Sequence, residues 1–393
     1  MAYVMVLSKH DVSKITIHYH LSQIKITYFC IKILKIMTRE KNGKLHIGIT
    51  HGDLNGVGYE LIIKTLMDQR LYELFTPVVY GSSKVASYHR KTLNVPDFSF
   101  NIIKDAEHAA ENKPNLINLV DKEVKIDLGK STEVAGELAL LALETAITDI
   151  KNGAIDVMVT APINKKNIQS PDFHFPGHTE YLASRFGCED VLMLMVRNQL
   201  RVGMITGHMP LRDVSKTLTI ELIIRKINTL HASLLRDFGI RKPKIAILAL
   251  NPHASDNGLI GDEEEKVIIP AISQANEKGM MVFGPYAADG FFASLNYKHF
   301  DAILAMYHDQ GMIPFKALAF DTGVNFTAGL PIVRTSPAHG TAYEIAGKDN
   351  ASIDSFREAL YLSIDIYNNR LLYDELLLNP LKSSEESSTS NEA

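Results

Sequence analysis

Short apolar runs alternate with longer stretches of helical periodicity along most of the chain. The runs at 46–50, 78–81, 116–120, 157–160, 191–196, 202–206, 244–250 and 302–306 predict strands. The stretches at 58–69, 134–151, 214–238, 263–278 and 355–371 predict helices. Within 134–151, Leu138, Leu141, Ala142 and Thr145 recur at the 3.6-residue period behind a Ser131/Thr132 cap. Several strands are unbroken apolar runs, the pattern of strands covered on both faces. Strand–helix alternation throughout predicts an α/β fold with a largely parallel sheet. No internal repeat and no Pro/Gly/Ser linker interrupts it, so domain boundaries should fall at crossovers and the domains should interleave.

Composition narrows the class. A chain of 393 residues, 46% hydrophobic and 22% charged, has room for two or three domains with a sizeable core. Its two cysteines, Cys30 and Cys188, make no disulfide framework and no Cys-x-x-Cys zinc or redox motif. A net charge of -4 argues against a basic nucleic-acid-binding face. No apolar run reaches the ~20 uncharged residues of a membrane span. A soluble, reduced, cytoplasmic protein is expected. The ends differ from the rest. Residues 1–44 carry eight basic and two acidic side chains, +6, whereas the remaining 33 bases and 43 acids give -10. That segment lacks the layout of a signal peptide. It reads as upstream sequence before a start at Met37, or as an amphipathic appendage. Residues 379–393 form a polar tail expected to be disordered.

Ligands of open α/β sheets bind at strand carboxyl ends, so the residues that follow each apolar run are the candidates for chemistry. The runs 201–207, 244–252 and 301–307 end in His208, His253 and His308, the last followed by Asp309. One such histidine is ordinary loop chemistry. Three in equivalent places suit a borderline divalent ion with a coordination position left for substrate. The run 156–160 leads into Ala161-Pro162-Ile163-Asn164-Lys165, and Gly177-His178-Thr179-Glu180 opens a predicted helix. The latter serves either as a helix cap or as an anion site. Lys316, Asn325 and Arg334 lie on a Pro- and Gly-rich stretch and flank Gly329-Leu330-Pro331, as on a shaped loop. The turn Gly52-Asp53-Leu54-Asn55-Gly56-Val57-Gly58 lacks the dinucleotide spacing of glycines, and neither a Walker A motif nor a nucleophile elbow is present.

Taken in order, 49–60, 160–165, 177–180, 210–213, 251–254, 306–311 and 329–342 resemble the 4-hydroxythreonine-4-phosphate dehydrogenases of vitamin B6 biosynthesis. The resemblance runs from about 46 to 368. It implies two interleaved α/β domains around a cleft, like isocitrate and isopropylmalate dehydrogenases: 45–172 plus 343–378, and 173–342. It implies that His208, His253 and His308 bind a divalent ion (zinc, magnesium or cobalt). His178, Thr179, Asp289, Lys316, Asn325 and Arg334 would then bind substrate, with Lys316 and Asp309 as candidate catalytic groups. His339, Gly340, Thr341 and Ala342 are similar to a cofactor loop for NAD, or NADP in its place, that needs no Rossmann fingerprint. A homodimer with interfacial active sites is implied, His208 and His253 coming from one subunit and His308 from its partner. The implied reaction is oxidation of 4-phosphooxy-L-threonine at C3 with decarboxylation to 3-amino-2-oxopropyl phosphate. The alternatives are a paralogue acting on threonate or erythronate 4-phosphate and, more distantly, a phosphate acyltransferase. His51, Leu54 and Tyr59 stand where prolines are commoner in that family.

Overall fold

The computed structural model describes residues 44–378. The expectations for the N-terminal segment up to residue 43 and for the 379–393 tail therefore lie outside the described residues. Twelve strands form one mixed sheet: β1 (Leu45–Thr50), β2 (Phe75–Gly81), β3 (Asn101–Ile103), β4 (Asn115–Asn118), β5 (Val157–Thr160), β6 (Leu192–Arg197), β7 (Leu200–Met204), β8 (Lys244–Leu248), β9 (Met281–Tyr286), β10 (Ala302–Ala305), β11 (Val324–Ala328) and β12 (Val333–Pro337). Their spatial order is β3-β4-β2-β1-β5-β12-β11-β6-β7-β10-β8-β9. The principal helices are α1 (Gly58–Leu66), α2 (Ser83–Thr92), α3 (Glu133–Asn152), α4 (His178–Phe186), α5 (Ile220–Arg236), α6 (Ile269–Glu277), α7 (His308–Ala319) and α8 (Asp354–Leu378).

The sheet is parallel at both flanks and antiparallel in the middle, where β12–β11, β11–β6 and β6–β7 all reverse. Three reversals leave β7, β10, β8 and β9 running opposite to β12, β5, β1, β2, β4 and β3. The two segments expected as separate domains contribute β1–β5 and β6–β12, and the parallel β5–β12 pairing joins them. Ile47, Ile49, Val157 and Val159 of the flanking strands are fully buried, as unbroken apolar runs require.

Several local expectations change. The α3 cap forms, with Thr132 accepting from the Ala135 amide, but Leu141 is 41% exposed and the buried stripe runs through Leu138, Ala142, Ala146 and Ile150. Gly136 on that stripe lets α3 approach the Asn167 carbonyl to a distance a Cβ would violate. The helix expected over 214–238 breaks at Leu218, and α5 restarts behind a Thr219 cap. The one expected over 263–278 opens with a π-helical turn, Glu264–Ile268, before α6 begins at Ile269 with Pro270 in its first turn. Buried Glu264 accepts from the amides of Leu250 and Asn251, and so anchors the chain just ahead of His253.

At the end of β1, His51, Tyr59 and His89 stack face to face, with centroids 5.1 and 5.0 Å apart. His89 Nε2 meets the Leu54 carbonyl at 2.9 Å, and the Tyr59 hydroxyl accepts from the Ser82 amide at 2.9 Å. Burial pushes both imidazoles down to about 4, so each is neutral in the folded chain. The unfolded chain would titrate near the usual ~6.5 and therefore binds protons first as pH falls. Stability should drop between pH ~6.5 and ~4, by up to about 3 kcal/mol per histidine at the acid end. Urea unfolding midpoints across that window should show the loss, and His89→Gln should flatten it. An unchanged slope in His89→Gln would remove the stack as its source.

Candidate active site

The antiparallel centre of the sheet builds the floor of the site. Asn325 of β11 sits opposite Ser336 of β12 and Met195 of β6. Side chains alternate along a strand, so Met193 and Arg334, two residues from Met195 and Ser336, share that face. Arg334 is 1% exposed. Its Nε and Nη2 donate to Thr160 Oγ1 at 3.1 and 2.6 Å, and Nη1 donates to Thr327 Oγ1 at 3.3 Å. Among the described residues no carboxylate pairs with it. Burial lowers its pKa to about 9, opposed by the charge of Glu180, so the guanidinium stays cationic at neutral pH.

Above this floor lies a cavity of about 250 Å³, lined among others by His178, Thr179, Lys316 and Asn325. A larger one, about 340 Å³, lies between the β6–β7 turn and α8 and holds none of the expected site residues. Gly177 at the start of α4 supplies no capping side chain, which leaves first-turn amides for a ligand. His178 Nε2 is buried with no hydrogen-bond partner, and Asn325 Oδ1 is too. Burial, helped by the charges of Arg334 and Lys165, holds the His178 pKa well below its usual range, so it is a neutral donor–acceptor.

The opposite wall carries two histidines. β7, β10 and β8 are parallel neighbours, so the chain leaves all three at the same edge. The rings of His208 and His308 lie 5.7 Å apart, both facing the cavity. His208 Nδ1 lies 3.2 Å from Glu180 Oε1, and His308 Nδ1 lies 2.7 Å from Asp309 Oδ1. A carboxylate at Nδ1 fixes the proton there and leaves Nε2 with its lone pair, the arrangement of metal-binding imidazoles. Lys165 Nζ is 3.0 Å from His208 Nε2. Burial lowers the Lys165 pKa, against the pull of Glu180. Burial alone would raise that of Glu180, but the hydrogen bond from His208 and the charge of Lys165 help to lower it.

The third histidine departs from expectation. His253 to Asn257 form a left-handed turn with φ between 47° and 66°, which leaves His253 exposed and outside the cavity. Among the described residues no three His, Cys, Asp or Glu side chains gather around one point. Within one chain His208 and His308 meet, whereas His208 and His253 do not. Asp289 is exposed at the start of the short helix Ala288–Ala293, away from the cavity. Asp309, 71% exposed, orients His308 and does not line the cavity.

His339 and Gly340 line the cavity, while Thr341 and Ala342 do not. Lys316, Asn325 and Arg334 are not on one loop. They sit on α7, β11 and β12, because long-range ladder partners convert the Gly/Pro-rich stretch into a hairpin at the sheet centre. Met193, Met195, Met312 and Ser336, to which the sequence assigns no role, also line the cavity. The period-2 spacing of Met193 and Met195 was the available signal.

The family model for the pyridoxal phosphate biosynthetic protein PdxA matches residues 73–363. The chain belongs to the PdxA family. A Bacteroides thetaiotaomicron protein of the family, named 4-hydroxythreonine-4-phosphate dehydrogenase, is 54% identical over 87% of this chain and 94% of its own. An Oceanobacillus iheyensis relative, provisionally named a D-threonate 4-phosphate dehydrogenase, is 40% identical over 81% of this chain and 97% of its own. The crystal structure of 4-hydroxythreonine-4-phosphate dehydrogenase from Klebsiella pneumoniae matches at a TM-score of 0.71 and 35% identity, over 83% of this chain and all of that one.

The PdxA floor makes a binding prediction. Arg334→Lys keeps a charge but loses the planar fork, so one charge-assisted hydrogen bond is forfeited. The variant should need roughly tenfold more inorganic phosphate than the parent for equal protection against thermal unfolding. Equal protection at equal concentration would take Arg334 out of anion binding.

Proposed function

We propose that the chain oxidises 4-phosphooxy-L-threonine at C3 with a nicotinamide dinucleotide, releasing CO2 and 3-amino-2-oxopropyl phosphate. The observation that carries this reading is Arg334, a buried cation with hydroxyl partners alone, under a cavity that His208 and His308 face, each with a carboxylate at Nδ1. Arg334, His178, Thr179 and the uncapped amides of α4 would hold one substrate anion, and Lys316 and Asn325 would fix the other end. The Met193, Met195 and Met312 side chains add an apolar part to the cavity lining. His208 and His308 fit a divalent ion, which when bound supplies Lewis-acid stabilisation of charge on the substrate's 3-oxygen. The nicotinamide, which takes up the hydride, is assigned to the loop His339, Gly340, Thr341 and Ala342.

Protein sites for such ions supply three ligands, and one chain brings two together. We assign the third to His253 of the partner subunit in a homodimer. Leu211, Leu259, Ile260 and Ile313, on the segments that carry the three histidines, are large apolar side chains left exposed, Leu259 to 79%. A protein partner is the usual cover for such a surface. No described helix is long and apolar enough to cross a membrane.

NADH formation should appear with 4-phosphooxy-L-threonine and disappear on chelation. Faster turnover of 4-phospho-threonate would transfer the assignment to the D-threonate branch of the family, and activity indifferent to chelator would end the metal reading. Subunit mixing tests the sharing. His208→Ala refolded with His253→Ala should recover roughly a quarter of wild-type activity, because half the dimers are mixed and each has one intact site. His208→Ala refolded with His308→Ala should stay dead. Recovery in the second mixture and none in the first would reverse the assignment.

A further inference from the structure

The turn between β1 and α1 lies behind the cavity and none of its residues lines it, yet it contains a fully buried acid. Asp53 is 1% exposed, and its carboxylate is shared among three segments. Oδ1 accepts from the Asn55 amide at 2.9 Å, and Oδ2 accepts from Asn167 Nδ2 and from the Tyr343 hydroxyl, both at 2.7 Å. The Asp53 amide in turn donates to the Pro162 carbonyl at 2.8 Å. Asn167 and Pro162 belong to the segment that delivers Lys165, and Tyr343 closes the loop that begins at His339.

That loop has little structure of its own. Ala342 takes a left-handed conformation with φ 46°, and one short 3₁₀ turn, Tyr343–Ile345, follows it. The β1–α1 turn grips it at two points. The Val57 amide donates to the Thr341 carbonyl at 3.1 Å, and a Cβ at Gly56 would come within 2.7 Å of the same oxygen. The second point is the Tyr343 hydroxyl, whose pKa burial and the Asp53 carboxylate drive upward, so it remains a proton donor. Ser131 and Asn164 lie within hydrogen-bonding reach of the same hydroxyl.

We infer that Asp53 is a positioning residue for the nicotinamide dinucleotide, acting through the Tyr343 hydroxyl to hold the 339–342 loop in its binding shape while touching neither cofactor nor substrate. The inference rests on the dehydrogenase reading above, specifically on that loop as the cofactor site. Its energetic content is ordering: a dinucleotide that finds the loop already shaped avoids the entropy of arranging it.

The test compares Tyr343→Phe, Asp53→Asn and their double variant in the full chain. Tyr343→Phe keeps the ring and the Asp53 contacts to Asn55 and Asn167, so it carries the test even if Asp53→Asn folds poorly. Fluorescence titration with NADH should show the dissociation constant of Tyr343→Phe rising about tenfold, with the KM of the phosphorylated substrate within about twofold of wild type. The double variant should bind NADH no worse than Asp53→Asn alone, since one interaction has been removed twice. Additive losses, a lowered melting temperature with unchanged NADH affinity, or equal damage to both KM values would overturn the inference. Gly340→Val separates this from the underlying reading. A Cβ there meets nothing within 4 Å, so the variant should fold while obstructing the cavity. Unchanged NADH affinity in Gly340→Val removes the loop as cofactor site. Weakened affinity there with normal affinity in Tyr343→Phe leaves the loop standing and removes Asp53.

Discussion

Arg334 is a cation withdrawn from water without a counter-ion, and the centre of the sheet is arranged around it. Burying a guanidinium costs several kcal/mol even after relaxation, and hydroxyl partners offset that less well than a carboxylate would. Thr160 and Thr327 accept from three of its five N–H groups while leaving its charge uncancelled. The floor is therefore held in a state that an anion improves. A carboxylate beside Arg334 would have made a more stable fold and a weaker anion site.

Direction reversal makes that floor possible. In a wholly parallel sheet β11 and β12 could not neighbour each other through a short hairpin. Here two antiparallel pairings place Asn325, Ser336, Arg334 and the methionines of β6 on one face. Beyond them the parallel trio β7, β10 and β8 delivers its histidines at one edge. His208 and His308 turn toward the floor, each held by a carboxylate at Nδ1. The site thus joins a floor with an uncompensated buried cation, from the middle of the sheet, to a wall of two histidines from its flank. The β1–α1 turn braces the loop that would hold the cofactor from behind.

Much of this was legible in the chain. The strands that read as unbroken apolar runs were found within a few residues, because burial on both faces leaves that mark on local sequence. The α3 cap was also visible, and so were some of the residues lining the cavity, the latter through motif order. What failed depended on distant partners. β11 and β12 contain Asn, Arg, Thr and Ser and border a Gly-Leu-Pro turn, so local composition suggests a loop, and only the ladder to β6 and β5 makes them strands. Leu141 shows the same limit, since helical period gives a face but not its width. The position of His253 was beyond reach for another reason: its turn adopts a backbone that sequence preference argues against.

That turn restricts which sequences this segment can tolerate. Five successive residues, His253 to Asn257, hold left-handed backbones, and none is glycine. In that region the Cβ crowds the following carbonyl, and a second heavy atom on Cβ worsens the contact. Valine, isoleucine and threonine are thereby barred from all five positions, whatever their fit to the surroundings. The residues present are histidine, alanine, serine, aspartate and asparagine, which are unbranched at Cβ and mostly able to hydrogen-bond locally. Variation along this stretch should therefore be filtered by backbone geometry before any chemistry is tested, so its alphabet stays small even at positions that touch no ligand.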